Sequence, residues 1–405
     1  MNNLTGHKSV NRIWITLFFL AIWMPLIGSF FRWNTSSIES IAVSETRAAA
    51  KFPNFQWDLK YFDEFPAKFE SYYNDFFGFR ESLISWNNQV MVTAFGTAPS
   101  WLVILGKYPW LFYGGDEGYY LSPLFKLEEL EQLKAVLEQR RDWLASQGIQ
   151  YIFLVAPNKQ SIYSEYLPDS IRYSSTKSRL DQLMDYLKQN SNVEVIDLRE
   201  DFHKAKLSHQ LYEKTDTHWN ELGAFYAYRA VMERVSRKFP SAKPLSLSDF
   251  KLTATNQLGG DLARMLKLQP IYREDVLKLE PKVLRRASKL AWLEGYPTAP
   301  QQVTLIGSNS PSFMRFQPRV AEIQDARLPS AVVFGDSFAD KGLIHFLTEH
   351  FRRTVFAGQH VFDVELIQKE RPDVVIQEIV ERTLVGPLPV GFLNSNEIKI
   401  DRSKK

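Results

Sequence analysis

The sequence predicts an α/β protein: a mainly parallel sheet in a three-layer α/β/α sandwich, preceded by one apolar N-terminal helix. Three observations carry that prediction. Continuous β-rich runs occur at residues 151–155 (YIFLV), 331–334 (AVVF) and 374–379 (VVIQEI), and strands apolar on both faces must be covered on both. Amphipathic helical stretches alternate with these runs, the pattern of parallel strands joined by crossover helices. Residues 13–31 hold no charged side chain and are bracketed by Arg12 and Arg32, a run long enough to cross the bilayer core.

Along the chain, Lys8 and Arg12 lie on the short side of the apolar run, which keeps residues 1–12 cytoplasmic. Phe30, Phe31 and Trp33 are bulky where a cleavage site would need small residues, so 13–31 reads as a retained signal anchor. Everything beyond it then lies outside the cytoplasm. Residues 32–60 mix Ser, Thr, Ala and charges without period and read as a linker. The main domain is expected over 61–396. It begins with a dense aromatic stretch through NDFFGFR at 74–80, suited to a helical hairpin in which Arg80 is a structural cation or, as the alternative, a site residue. WLVIL at 101–105 and WLF at 110–112 read as a β-hairpin or two short strands. Residues 127–147 form an amphipathic helix, with Leu130, Leu133, Val136, Leu137 and Leu144 on one face and Gly148 as its C-cap.

The strand 151–155 ends in Ala156-Pro157-Asn158-Lys159. Next come a helix over 179–189, a strand over 193–198, a helix near 201–206, and a long helix carrying Phe225, Tyr228, Met232 and Val235. Residues 242–327 break the rhythm with Pro244, Gly259-Gly260, Pro270, Pro281, Pro297, Pro300 and Pro311, and read as an insertion bordering the site. The α/β pattern resumes at 331. A helix is expected after Ser337 from the spacing of Leu343, Ile344, Phe346, Leu347 and Phe351. A strand at 354–357, a helix at 364–369 and the strand 374–379 complete the domain, and 397–405 is a charged tail.

Composition narrows the chemistry. A chain of 405 residues with 45% hydrophobic and 23% charged residues is globular rather than disordered. A net charge of +3 without a basic stripe argues against a nucleic-acid partner. There is no cysteine, which excludes disulfides, thiolate metal sites and Cys nucleophiles. Among the seven histidines, His7 is cytoplasmic. His203, His209, His345 and His350 lie on or beside helices, and His360 follows a Gly-containing loop and is expected to face solvent. Their spacing matches neither a zincin nor a two-His metal face, and no metal ligand set is assigned.

Ser337 and His218 stand apart. In Gly335-Asp336-Ser337 a buried strand stops at a glycine and a serine follows at the turn into a helix. Its hydroxyl is then clear of the sheet, and free N–H groups at the helix start can stabilise an oxyanion. His218 lies in TDTHWN at 215–220, before a helix that Asn220 can cap. In an extended Asp-x-His segment both side chains point the same way. Asp216 can then accept from Nδ1–H of His218, leaving Nε2 to take a proton from a serine. Asp216, His218 and Ser337 are therefore the catalytic candidates. Three further residues are candidates for binding substrate. Asn158 ends a central strand and could join the Ser337 N–H in an oxyanion hole or be only a turn residue after Pro157. Arg382, near the end of the final strand, could face the site or pair with Glu381 at the surface; Trp219 could stack on a sugar ring or belong to the core.

With the Asp-x-His-Trp element, the later Gly-Asp-Ser-Phe and the N-terminal anchor in view, the chain resembles the alginate O-acetyltransferase group of SGNH-hydrolase-like proteins. NDFFGFR at 74–80, VILGKYPWLF at 103–112, APNKQSIY at 156–163, GDLARML at 260–266 and QEIVER at 377–382 fit the same resemblance. In that group the Asp and His precede the Ser, as they do here. The resemblance implies an SGNH-hydrolase-like fold and transfer of acetyl groups onto an exopolysaccharide at the periplasmic face of the inner membrane. It further implies a multi-pass membrane acyltransferase as acetyl donor. The chain is expected to lack the appended carbohydrate-binding domain of the group's best-known members. The expected mechanism passes through an acetyl-serine on Ser337 and uses no cofactor. A carbohydrate acetylesterase of the same fold and a non-catalytic glycan-binding scaffold are the competing readings.

Overall fold

The computed structural model describes residues 3–38, 40–41, 47–54, 59–171, 177–296, 301–303, 313–315 and 317–384. Two compact units make up the chain: residues 1–105 with 258–273, and residues 106–257 with 274–405.

The smaller unit contains α1 (Asn3–Phe30), α2 (Leu59–Phe76) and α3 (Arg80–Phe95). Within α1, Arg12–Phe30 is long and apolar enough to cross a membrane, and almost none of it is buried against protein. The stretch expected to be a linker is instead tied down in its described parts. Phe79 N–H donates to Trp33 O at 2.9 Å, Arg80 Nη1 donates to Ser36 Oγ at 3.0 Å, and Arg47 pairs with buried Asp75. Arg80 itself is buried, its Nε donating to Asn74 O, a structural role as expected. Part of the Pro-rich insertion belongs to this unit too. Asn88 Nδ2 donates to Leu266 O, and Lys267 pairs with Glu81 at 2.7 Å. Residues 258–273 group with this unit, where α3 supplies polar partners for the carbonyls of Leu266 and Lys267.

The strands of the larger unit include β1 (Gln150–Ala156), β2 (Val195–Asp197), β3 (Phe250–Gln257), β4 (Glu274–Pro281), β5 (Ala291–Trp292), β6 (Arg319–Glu322), β7 (Ser330–Phe334), β8 (Arg353–Ala357) and β9 (Val374–Val380), besides short strands at Leu111–Tyr113, Gln301–Val303 and Phe313–Arg315. Seven form one sheet in the order β2-β1-β9-β7-β8-β6-β5. The first five run parallel and the last two add antiparallel. β3 and β4 make a separate antiparallel hairpin, Phe250 pairing with Pro281 and Gln257 with Glu274. The insertion therefore holds more strand than its prolines suggest, and part of it extends the main sheet. The charged tail expected at 397–405 lies outside the described residues.

Every residue of β7 and β9 is buried, as continuous apolar runs require. On one face Phe153, Val155 and Ile379 pack with leucines of α4 (Leu127–Ala145) and α5 (Arg179–Asn190). Val332, Phe334, Val355 and Val375 continue that face towards Leu366 and Ile367, which follow α6 (Arg199–Ala205) and α7 (Glu221–Lys238) in the chain and lie on α8 (Val364–Glu370). α7 packs along β1 and against the turn after β7. The strand period of two sorts two adjacent polar residues of β9 onto opposite faces. Gln377 accepts from Arg140 and Tyr151 on the α4 side. Glu378 accepts from the Asp336 N–H beneath the candidate nucleophile.

His350 shows how burial constrains this unit. Tyr228 accepts from Leu245 N–H, and its hydroxyl lies 2.6 Å from His350 Nε2. Burial, with a smaller effect from the Arg286 charge, lowers the imidazole from 6.5 to about 4. The fold therefore binds the neutral ring, and the stability it gives is present above the unfolded value and lost as pH falls from 6.5 towards 4. Urea titrations across that window should show a loss on the order of 3 kcal/mol attributable to this group. His350→Gln should remove that component; an unchanged pH slope in the variant would refute the assignment.

Candidate active site

The turn that carries the candidate nucleophile is built around Gly335. A Cβ there would lie 2.6 Å from Ala339 Cβ and 2.9 Å from Glu378 Oε2, so only glycine lets β7 turn this tightly over β9. Asp336 then fastens the turn. Its N–H donates to Glu378 Oε2 at 3.0 Å, its Oδ1 accepts from Phe338 N–H at 2.7 Å, and its Oδ2 accepts from Val380 N–H at 3.2 Å. His360 Nε2 lies 3.0 Å from the same Oδ2. His360 is thus a partner of the turn rather than a solvent-facing residue, because the loop after β8 folds back over the end of β7.

Charge within this cluster is divided between two carboxyls. Burial pushes Asp336 up, but the hydrogen bond and charge of His360 and the Phe338 N–H outweigh it and hold the group below its usual range. Burial and the Asp336 charge together push Glu378 well above its usual range. One carboxyl is kept ionised and its neighbour neutral, as close acidic pairs require.

Beyond Ser337 the chain departs from the expected helix. Residues Ala339–Leu343 form an irregular turn with non-helical angles at Lys341 and Gly342, and regular helix covers only Ile344–Leu347. Gly342 has φ +126° and its Cα faces Ala224 closely enough that a Cβ would lie 2.8 Å from the alanine methyl. The break carries Lys341 to the site, where Nζ reaches Asp216 Oδ2 at 3.1 Å.

His218 and Asp216 come from a loop that folds on itself, with Tyr212 and Trp219 paired by an antiparallel bridge. The segment is bent, not extended. Asp216 Oδ1 accepts from both His218 N–H at 3.0 Å and Nδ1 at 2.7 Å, so a side-chain turn, rather than strand geometry, aligns the pair. His218 Nε2 lies 2.8 Å from Ser337 Oγ. Both Asp216 and His218 are buried. Burial pushes Asp216 up, but the hydrogen bond and charge of His218, with the charge of Lys341, hold it far below the usual carboxylate range. Asn220 caps α7 as expected, accepting from Gly223 N–H at 3.0 Å.

Two braces of this loop went unrecognised in the sequence. Buried Lys159, directly after Asn158, donates to the carbonyls of Leu111, Lys214 and Asp216 at 2.7, 2.8 and 3.0 Å. Glu274, at the start of β4, accepts from Lys214 N–H at 2.7 Å, Thr215 N–H at 3.0 Å and the Thr215 hydroxyl. Farther along β4, Leu279 N–H donates to Glu221 Oε2 and Lys278 Nζ to Glu221 Oε1. β4 therefore grips the catalytic-candidate segment before Asp216 and after His218. A lysine following a strand-end asparagine is a faint signal; an acidic residue in a Pro-rich insertion is none.

Of the binding candidates, Asn158 is fully buried. Its N–H donates to Glu381 Oε2 at 2.8 Å and its Oδ1 accepts from Arg382 N–H at 3.2 Å, tying the ends of β1 and β9 together. Its NH₂ has no hydrogen-bond partner among the described residues. The Arg382 guanidinium lies 5.4 Å from the Tyr113 ring, 5.3 Å from the Phe338 ring, and 3.5 Å from Asp116 Oδ1. Trp219 is only 2% exposed. Its indole N–H donates to Phe338 O at 3.0 Å, so it supports the turn from beneath and offers no open face for stacking.

The family model described as SGNH hydrolase-like domain, acetyltransferase AlgX, matches residues 103–381, and the chain belongs to that family. Among named relatives, the probable alginate O-acetylase AlgJ of Pseudomonas putida is 30% identical over 194 residues, 48% of this chain and 49% of the relative. The protein of the same name from Pseudomonas syringae pv. tomato is 27% identical over 170 residues, 42% of each chain. The chain spans about half the length of the relatives it matches. Among solved structures, Bacillus cereus PatB1 with a sulfonyl adduct aligns at 21% identity and TM-score 0.49 over 68% of this chain and 95% of that one. The O-acetyltransferase domain of Pseudomonas putida AlgJ aligns at 22% identity and TM-score 0.44 over 71% and 92%.

Glu274→Ala should lower the unfolding free energy by about 1–3 kcal/mol, because it takes the carboxylate partner from the buried Thr215 N–H and the half-buried Lys214 N–H. Denaturant unfolding reads this directly. A loss within experimental error would mean that β4 does not brace the segment.

Proposed function

We propose that this chain is a membrane-anchored O-acetyltransferase that places acetyl groups on hydroxyls of an exopolysaccharide in the periplasm. The observation that carries this reading is the continuous hydrogen-bonded line from Asp216 through His218 to Ser337, set at the end of a buried parallel strand. Family membership supports acyl transfer, and the alginate O-acetylase names of the relatives support a polysaccharide acceptor.

In the proposed first step Ser337 Oγ attacks the carbonyl carbon of an acetyl donor while His218 Nε2 takes the hydroxyl proton. The donor's bond to the acetyl group breaks, and the leaving group departs with the proton from His218. In the second step His218 takes the proton of a sugar hydroxyl, whose oxygen attacks the acetyl-serine. The acetylated sugar leaves, and Ser337 recovers its proton from His218. Asp216 remains ionised throughout, since its interactions hold it far below the usual range, and its charge favours the imidazolium formed in each step.

The developing oxyanion needs aligned donors. The Ser337 N–H is one, and the NH₂ of Asn158, which has the Tyr120 hydroxyl as its polar neighbour, is assigned as the other. Arg382, whose guanidinium rests against the Phe338 ring, is assigned to the substrate side of the site. The proposal gives Trp219 a positioning role only. The reading places Arg12–Phe30 across the inner membrane and takes a multi-pass membrane acyltransferase as the acetyl donor. No cofactor enters either step.

Ser337→Ala should abolish acetyl transfer to the polymer, and Asp216→Asn should lower turnover by about three to four orders of magnitude with the fold retained. Product analysis with polymer present separates the competing chemistries. Acetate as the sole product would identify an esterase, and normal polymer acetylation in Ser337→Ala would overturn the catalytic assignment.

A further inference from the structure

The reading of α1 as a membrane anchor leaves the turn between α2 and α3 unexplained, and that turn is pressed against the last part of the anchor itself. A Cβ on Gly78 would lie 2.3 Å from the carbonyl carbon of Gly28 and 2.6 Å from Ser29 N, and a Cβ on Gly28 would lie 2.8 Å from the Phe79 ring. The two glycines therefore bring the backbones into direct contact. Gly28 falls inside the apolar span Arg12–Phe30. At a rise of about 1.5 Å per residue it sits only about 3 Å from the end of the span, and Pro25 about 7 Å.

A turn at that depth must satisfy its backbone without water, and the N–H groups of residues 78–80 all have partners within the protein. Gly78 N–H donates to Pro25 O at 3.2 Å and to Ser29 Oγ at 2.9 Å. Phe79 N–H donates to Trp33 O at 2.9 Å, and Arg80 N–H to Phe77 O at 3.3 Å. The Arg80 guanidinium is turned inward onto Asn74 O and Ser36 Oγ. The outward character is aromatic. Phe65, Phe69 and Tyr73 on α2 and Phe77 just after it form a ladder with centroids 5.9, 6.4 and 6.0 Å apart, Phe69 exposed and the other three half-exposed, while Phe30, Phe31 and Trp33 are exposed at the anchor's exit. Aromatic side chains are the residues that settle at a membrane–water boundary.

We infer that the tip of the α2–α3 hairpin, residues 76–79, is seated in the interfacial layer of the leaflet through which α1 exits. The occupant of this surface is lipid at the headgroup–acyl boundary. The unit is then held by the membrane at two places, the span and the tip, with Gly28–Gly78 joining them. This inference rests on the proposed anchor, and the experiment separates the two.

Because the chain has no cysteine, single-cysteine variants of the full chain can carry an environment-sensitive fluorophore in phosphatidylcholine–phosphatidylglycerol vesicles. Labels at Leu20→Cys, Phe77→Cys, Tyr73→Cys and Lys204→Cys report the span, the tip, one turn from the tip, and a solvent reference. Lipids brominated near the glycerol end should quench the Phe77 label several-fold more than the Lys204 label, and aqueous iodide should do the reverse. Tyr73→Cys should follow the same pattern more weakly and stands in where Phe77→Cys does not fold. Adding Gly78→Val should release the tip, reducing its lipid quenching while leaving that at Leu20. If the Leu20 label is quenched by lipid but the tip labels behave like Lys204, the inference is overturned. If Leu20 itself escapes lipid, the anchor reading fails first.

Discussion

The site depends on keeping one carboxylate charged in a place that water barely reaches. Asp216 is 3% exposed, and an ionised carboxyl buried without partners would take up a proton instead. Here one oxygen takes two N–H groups of His218 and the other takes Lys341. The loop's own carbonyls converge on the buried ammonium of Lys159, and its N–H groups converge on Glu274. The Asp216–His218 pair is therefore held by a shell drawn from the end of β1, the turn after β7 and the start of β4. Removing any part of that shell takes a partner from a buried polar group, which ties the fold's stability to the geometry of the site.

The same economy governs the other half. The Gly335-Asp336-Ser337 turn sits on a pair of acidic residues, one ionised through His360 and one kept neutral by burial and by its neighbour's charge. Strand alternation along β9 makes this possible. Gln377 completes a network on one face of the sheet, while Glu378 meets the nucleophile turn on the other. Two adjacent polar residues in a fully buried strand thus have separate purposes, one in packing and one beneath the site.

Much of this was legible because it is local. The strands announced themselves as unbroken apolar runs, and Gly335-Asp336-Ser337 and Asp216-x-His218 carry their chemistry within a few residues. The misses are places where distant residues decide. Leu343, Ile344, Phe346 and Leu347 keep helical spacing, yet Gly342 at φ +126° breaks the helix ahead of them because α7 crowds it. His360 looked like a loop residue until the end of β7 came under it. Glu274 acts on a loop about sixty residues earlier, and no local pattern encodes that reach. Trp219 had two readings, and only the position of Phe338 decides between them. Ser85 and Asn88 of α3 donate to the carbonyls of Lys267 and Leu266, a reach of about 180 residues that no local pattern encodes.

Intact-protein and peptide mass spectrometry after brief mixing with an acetyl donor tests the central claim most directly. The account predicts a single acetyl group on the peptide containing Ser337, formed before any product appears and discharged when polysaccharide is added. An acetyl group on another residue, or acetylated polymer formed with Ser337 never modified, would contradict it.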